Sequence, residues 1–207
     1  MKTTKQHVHS ARQTLGALCI PLALFCASCS LFEPREAEPP TQSGANYLPR
    51  TDALNVIENL KIAITRQDPV GYITCFSDST RTGNSYRFIP SPAAQSAYGL
   101  FWDNWTYDSE RAYFQNLVAK KQETGFALLQ FGQTPVSRDN GDGTWTYSNS
   151  YDFTFQHTDT LFAKNAEGIL VFTLTRVNSE WSITRWEDGE SVARDTTWSV
   201  FKWKFGN

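Results

Sequence analysis

Histidine is the side chain best suited to moving protons near neutral pH, and this chain of 207 residues has three. His7 and His9 precede an apolar N-terminal run, which leaves His157 for the rest of the molecule. A paired-histidine arrangement is therefore excluded by count. The same shortage, with no Cys/His spacing suited to zinc, leaves no metal site and no cofactor to expect. What remains is a thin set of candidates. Arg185 can hold an anion, with His157 or Asp103 as the base beside it. Asn149 and His157 are the two polar residues in the aromatic phase of a long alternating stretch, where an amide lining a cavity and a bulge that resets the phase are both open readings. Tyr72, Trp102 and Trp181 are candidate pocket walls, or simply core. Asp152 falls on the outer phase, Asp188 at a strand end and Asp103 beside Trp102, so each reads as a solvated or capping carboxylate. Cys75 has no neighbouring histidine and reads as a small buried residue.

The element that must position these groups is the stretch Gly168 to Asp188. Apolar residues on both phases of its first half, Ile169 to Phe172, predict a strand covered on two sides. A two-residue turn at Asn178-Ser179 would set Arg176 opposite Trp181, Leu174 opposite Ile183, Phe172 opposite Arg185 and Val171 opposite Trp186. Arg185 would then share the core face with Leu170, Phe172 and Leu174, and Trp186 would lie on the outer face.

Upstream, Ala53, Val56, Ile57, Leu60, Ala63 and Ile64 make a helical stripe capped by Thr51, and Asp68-Pro69 starts a second short helix bearing Tyr72. A loop over 77–85, a short strand Tyr86 to Ile89 and a long helix with Phe114, Leu117 and Val118 inward come next. Phe126 to Phe131 is a strand, Asn140 to Gly143 a turn, and Thr144 to His157 an almost unbroken alternation. Thr196 to Phe205 is a strand or a helical turn, with the half-buried strand preferred. Seven tryptophans and 14% aromatic residues supply ample core for one domain.

The first 28 residues have a basic start, an apolar run from Leu15 to Phe25 and small residues before Cys29. This is a secretory signal, with a run too short to span a bilayer. Its end resembles the lipobox of bacterial lipoproteins, with Ala27 and Ser28 at the small positions and Cys29 as the lipid-attachment residue. Ser30 after the cysteine implies an outer-membrane destination facing the periplasm. Residues 29–49 read as a flexible tether and 50–207 as the folded domain. Formal charge is −2 overall, and about −5 once Lys2, Lys5 and Arg12 are set aside. With no clustered Lys/Arg, nucleic acid is not an expected partner.

The order helix, short helix, strand, long helix and four strands resembles the nuclear transport factor 2-like fold. Three stretches also resemble small bacterial lipoproteins of that fold: NLKIAITRQDPVGYITCFSD, the spacing of Trp105 and Glu110, and WSITRWEDGE followed by TTWSVFKWKF. The resemblance implies an α+β cone, with a strongly bent, mostly antiparallel sheet wrapped around N-terminal and long central helices. The resemblance carries no activity with it; the lipobox and the missing acid/base set point to a lipid-anchored, non-catalytic envelope protein whose cone pocket or sheet face binds a small apolar molecule or a protein partner from the envelope. The alternative is an enzyme of the polyketide-cyclase or dehydratase kind working through Arg185 with His157 or Asp103. A third possibility is an assembly role through the outer sheet face around Trp186.

Overall fold

The computed structural model describes residues 47–191 and 196–206. The leader, Cys29 and the tether as far as residue 46 lie outside the described residues. The last residues expected to be tether are instead bound to the domain: Leu48 N–H donates to Asn59 Oδ1, Asn59 Nδ2 donates back to Leu48 O, and Tyr47 Oη donates to Asp68 Oδ2.

Helix α1 (Ala53–Arg66) buries the whole expected stripe, but its N-cap is Asp52, one residue after Thr51, with the carboxylate accepting from Leu54 N–H. It ends at Gln67 in the left-handed region, φ 54°, and Asp68 caps α2 (Pro69–Thr74). A one-turn helix α3 (Ser79–Thr82) occupies the predicted loop and leads to strand β1 (Arg87–Ile89). Ser91 then caps α4 (Pro92–Tyr98), a 3-10 turn spans Gly99–Trp102, and α5 is Tyr107–Ala119. Strands β2 (Ala127–Phe131), β3 (Val136–Asp139), β4 (Thr144–Phe155), β5 (Asn165–Val177) and β6 (Glu180–Glu190) follow, and α6 (Trp198–Phe205) closes the described chain. Sequence periodicity does not reveal β3, four exposed residues with only Val136 apolar.

The sheet runs β1-β6-β5-β4-β2, with β3 pairing the far half of β4, and is antiparallel except where β1 pairs β6. Helices α1 and α6 pack on it, and α2 packs against α5. Strand β5 is interior as expected, but for a different reason. Ile169 is 47% exposed, so the strand is flanked by partners in the plane of the sheet and is open on its outer face. The outer face of β4 carries serines, threonines and Asp152, partly exposed.

The turn at Asn178-Ser179 is correct, with φ of 50° and 69°, the doubly left-handed conformation that matches the twist of a two-residue hairpin. Arg176↔Trp181 and Leu174↔Ile183 pair as expected. Beyond them Thr173 pairs Arg185, Phe172 pairs Trp186 and Val171 pairs Glu187, because Thr184 is an extra residue on β6. One inserted residue reverses every later side chain. Arg185 and Glu187 therefore face solvent while Trp186, fully buried, and Asp188, 6% exposed, turn inward.

The C-terminal aromatic segment is a helix, not a strand. At helical spacing Trp198, Phe201, Lys202 and Phe205 share one face, and all four are buried. Among the described residues no helix is long and apolar enough to cross a membrane.

Candidate functional site

The principal polar feature of the interior is a carboxylate. Glu110, in the first turn of α5, is fully buried, and five donor contacts from four residues converge on it. Tyr72 Oη donates to Oε1 at 2.6 Å, Tyr86 Oη and Trp105 Nε1 donate to Oε2 at 2.9 and 2.8 Å, and Lys202 Nζ lies 2.7 and 2.6 Å from the two oxygens. Each donor comes from a different element: α2, the residue before β1, the turn before α5, and α6. The Lys202 ammonium also sits 3.6 Å from the Trp186 ring centroid and 3.8 Å from that of Phe88, a cation-π cage on top of the ion pair.

A buried charge is tolerated only when paired and hydrogen-bonded, and here both conditions hold. Burial still pushes the Lys202 amine down, to about 8, against the pull of Glu110. Burial first and the Glu110 charge second raise Tyr72 and Tyr86 well above the ordinary phenol range. Both phenols donate to the carboxylate.

A second buried carboxylate secures the helix that brings Lys202 in. Asp188 Oδ1 accepts from Tyr151 Oη at 2.7 Å, and Oδ2 accepts from Ser199 N–H at 2.7 Å and Ser199 Oγ at 2.5 Å. Ser199 is the second residue of α6, so Asp188 serves from the sheet as that helix's cap. Burial raises the Asp188 carboxyl, with its donors opposing. Tyr151 Oη also accepts from Trp198 N–H, and Trp198 Nε1 donates to Tyr113 Oη.

Over the Glu110 cluster lies a groove of about 630 Å³ along β1. Tyr86, Phe88, Trp102 and Trp105 form its floor, and Ser85, Arg87, Gln95 and Asp103 its exposed rim. Strand β1 has a strand neighbour only on the β6 side. Tyr86 and Trp105 thus belong both to the groove floor and to the donor set of Glu110.

The residues singled out from sequence do not converge. Tyr72 is in the carboxylate cluster and Trp102, its Nε1 donating to Ala94 O, is in the groove floor. Asn149 is inward, with no bulge in β4, and lines a separate groove beside α1. Trp181 is half-buried beside Arg50 and Glu180. Arg185, on the outer face, pairs with Glu187 at 2.9 Å and lines no cavity with the others. His157 is fully buried among Phe162, Phe201 and Phe205. Both of its ring nitrogens are engaged: Nε2 with Ala163 O, and Nδ1 with Lys164 Nζ. Burial, with Lys164 adding to it, lowers its pKa, and the ring is packed as part of the aromatic core. Cys75 is a free buried thiol, pushed up to about 12 by burial. No group of three or more His, Cys, Asp or Glu side chains among the described residues is placed to hold a metal.

Sequence reasoning noted the Trp105-Glu110 spacing but missed Lys202. Reading FKWKF at a helical period would have placed that lysine on the aromatic face.

Two solved structures share this arrangement of elements. A protein from Novosphingobium aromaticivorans, named for a proposed aromatic ring hydroxylase, superposes with a TM-score of 0.53 at 14% identity, over 74% of this chain and 99% of that one. A nuclear transport factor 2-like superfamily protein from Salmonella enterica superposes with 0.50 at 14% identity, over 68% and 89%. The fold is the nuclear transport factor 2-like cone. No family model and no curated protein matches the chain. At these identities the likeness is one of fold alone, and a fold of this kind carries many activities. Inside this nuclear transport factor 2-like cone, Tyr72, Tyr113, Phe114, Phe153, Trp186 and Trp198 are all fully buried, and the Glu110 cluster is enclosed among such rings.

Proposed function

We propose that this is a lipid-anchored, non-catalytic protein of a bacterial envelope, which binds a small apolar molecule in the aromatic-floored groove along β1. The observation that carries the non-catalytic reading is the saturation of Glu110. A general acid or base needs a proton path to a substrate, and this carboxylate is fully buried, with its oxygens occupied by four donor residues. The alternative chemistry, with Arg185 steadying an anion and His157 or Asp103 taking the proton, finds no shared cavity for the three. Arg185 faces solvent, His157 is enclosed by phenylalanines, and Asp103 stands on the rim of the β1 groove. An assembly surface around Trp186 is likewise not favoured, since that ring is wholly inside.

The anchoring half of the proposal rests on the residues before Cys29 and on Ser30 after it, which favour acylation at Cys29 and an outer-membrane location facing the periplasm. Several acyl chains at about 0.8 kcal/mol per buried methylene would make attachment durable. The groove is tested with the apolar dye 1-anilinonaphthalene-8-sulfonate, whose emission should rise on binding the full chain. Ser85→Trp, at an exposed rim position, should suppress that rise without altering the unfolding midpoint. An unchanged dye response in this variant would remove the groove from consideration.

A further inference from the structure

A second groove, of about 470 Å³, opens between the first half of α1 and the inner face of the sheet, and its polar floor is incompletely paired. The floor is Tyr147 and Asn149, two successive inward residues of β4, 5% and 6% exposed. Leu48, Leu54, Ile57 and Phe131 supply apolar walls, and Leu54 at the mouth is 51% exposed.

Asn149 Nδ2 donates to Gly132 O at 3.1 Å and to Tyr147 Oη at 3.0 Å. Only the amide nitrogen can face a carbonyl oxygen as donor, so Gly132 fixes which way the amide points. Both N–H bonds are then used, while Asn149 Oδ1 accepts from no group among the described residues. The Tyr147 hydroxyl accepts from Asn149 and donates to no group there. The amide oxygen is not sealed: among the described residues, the one enclosed side-chain polar atom without a partner is Trp186 Nε1. A nine-tenths-buried acceptor and an unused O–H donor thus stand side by side at the floor of an apolar groove. A Cβ at Gly132 would lie 2.3 Å from Ser150 Oγ and 3.0 Å from Asn149 Oδ1, so glycine there lets the β2 end lie close against both side chains.

The volume falls in the range of small-molecule sites, roughly 300–1,000 Å³, where a few polar groups orient an apolar ligand. An adjacent acceptor and donor complement a group that presents N–H and C=O together. An ionised carboxylate has no proton for Asn149 Oδ1, and the Lys61 ammonium at the rim is already paired with Glu58 at 3.0 Å. We propose that this groove binds an uncharged apolar molecule through one primary carboxamide group, whose N–H and C=O share an edge, Asn149 Oδ1 accepting its N–H and the Tyr147 hydroxyl donating to its C=O. The site is separate from the groove along β1 and does not depend on it.

The test uses heptanamide and methyl heptanoate, a primary amide and an ester that differ in the N–H lying syn to the C=O, titrated into the isotopically labelled full chain and followed by NMR. The amide should give saturable shifts at Leu54, Phe131 and Asn149, with an affinity at least about fivefold above that of the ester, as expected for a buried polar group left unpaired by the wrong ligand. Asn149→Leu should bring the two affinities together. Leu54→Glu, an exposed substitution that leaves the floor intact, should weaken both ligands, which keeps the test decisive if the floor variant unfolds. Ser85→Trp should change neither affinity. Equal affinities in the unaltered protein, shifts centred on Phe88 and Trp102, or a preference that survives Asn149→Leu would each overturn the proposal.

Discussion

Replacing the two members of the interior ion pair singly and together gives the most direct measure of what holds the cone. In Lys202→Met the Glu110 carboxylate keeps its bonds from Tyr72, Tyr86 and Trp105 but loses its one charged partner among the described residues. Its escape is to take up a proton, which at pH 7 costs a carboxyl of ordinary pKa about 3.7 kcal/mol, so the loss is bounded near 4. In Glu110→Gln the Lys202 ammonium is stranded at full burial. Shedding its proton at pH 7 costs an ordinary lysine about 4.6 kcal/mol, which bounds that loss. Both bounds agree with the 3–5 kcal/mol typical of breaking a buried pair from one side. The double variant carries neither charge. Three donors then face one glutamine oxygen and its NH₂, leaving at least one donor unsatisfied at about 1–3 kcal/mol. The double variant should therefore be no less stable than either single one, with a coupling of at least about 3 kcal/mol. Urea unfolding at pH 7, followed by tryptophan fluorescence, reads all four midpoints, and a domain of ordinary stability keeps the single variants folded. Losses that add, with coupling below about 1 kcal/mol, would mean that the pair is not a buried charge pair and that the lysine finds water.

Stability should vary with alkaline pH in two opposed steps. The Lys202 amine is depressed in the fold, so the unfolded chain binds more protons between about pH 8 and the ordinary lysine value, and stability rises with pH there. Tyr72, Tyr86, Tyr113 and Tyr151 are raised in the fold, so their contribution is intact below about pH 10 and is lost as pH rises beyond it; absorbance at 295 nm should show these four ionising only with unfolding, and early titration of all eight tyrosines would contradict the burial. Arg185→Ala should shift stability by less than about 0.5 kcal/mol, as its pair with Glu187 is exposed, whereas Ile183→Ala, fully buried two residues earlier, should cost about 2–5. Cys29→Ala should move the protein from the detergent phase to the aqueous phase on Triton X-114 partitioning, and retention in detergent would defeat the acylation proposal.

What the sequence makes legible here is local. The stripe of α1, the Asp68-Pro69 start of α2 and the Asn178-Ser179 turn are each decided by residues within a few positions, and each is found in place. The failures share one physical origin, since each is a departure from simple strand alternation. A bulge at Thr184 is one residue of excess in a strand, and the phase argument that put Arg185 inward runs through it unaware. The charges flanking Trp186 were the available sign: Arg185 and Glu187 on one phase, with Trp186 on the other, make a better amphipathic strand than the unbroken alternation does. The pairing of Glu110 with Lys202 spans 92 positions and depends on the last segment being helical. These misreadings are also mechanically one feature. The bulge turns Asp188 inward, Asp188 caps α6, and α6 carries Lys202 to Glu110 and into the cage of Trp186 and Phe88, the former turned inward by the same bulge. A single extra residue on β6 thus determines whether the cone holds an arginine at its wall or a closed ion pair at its centre, and the second arrangement is what leaves Glu110 fully buried with donors from four residues.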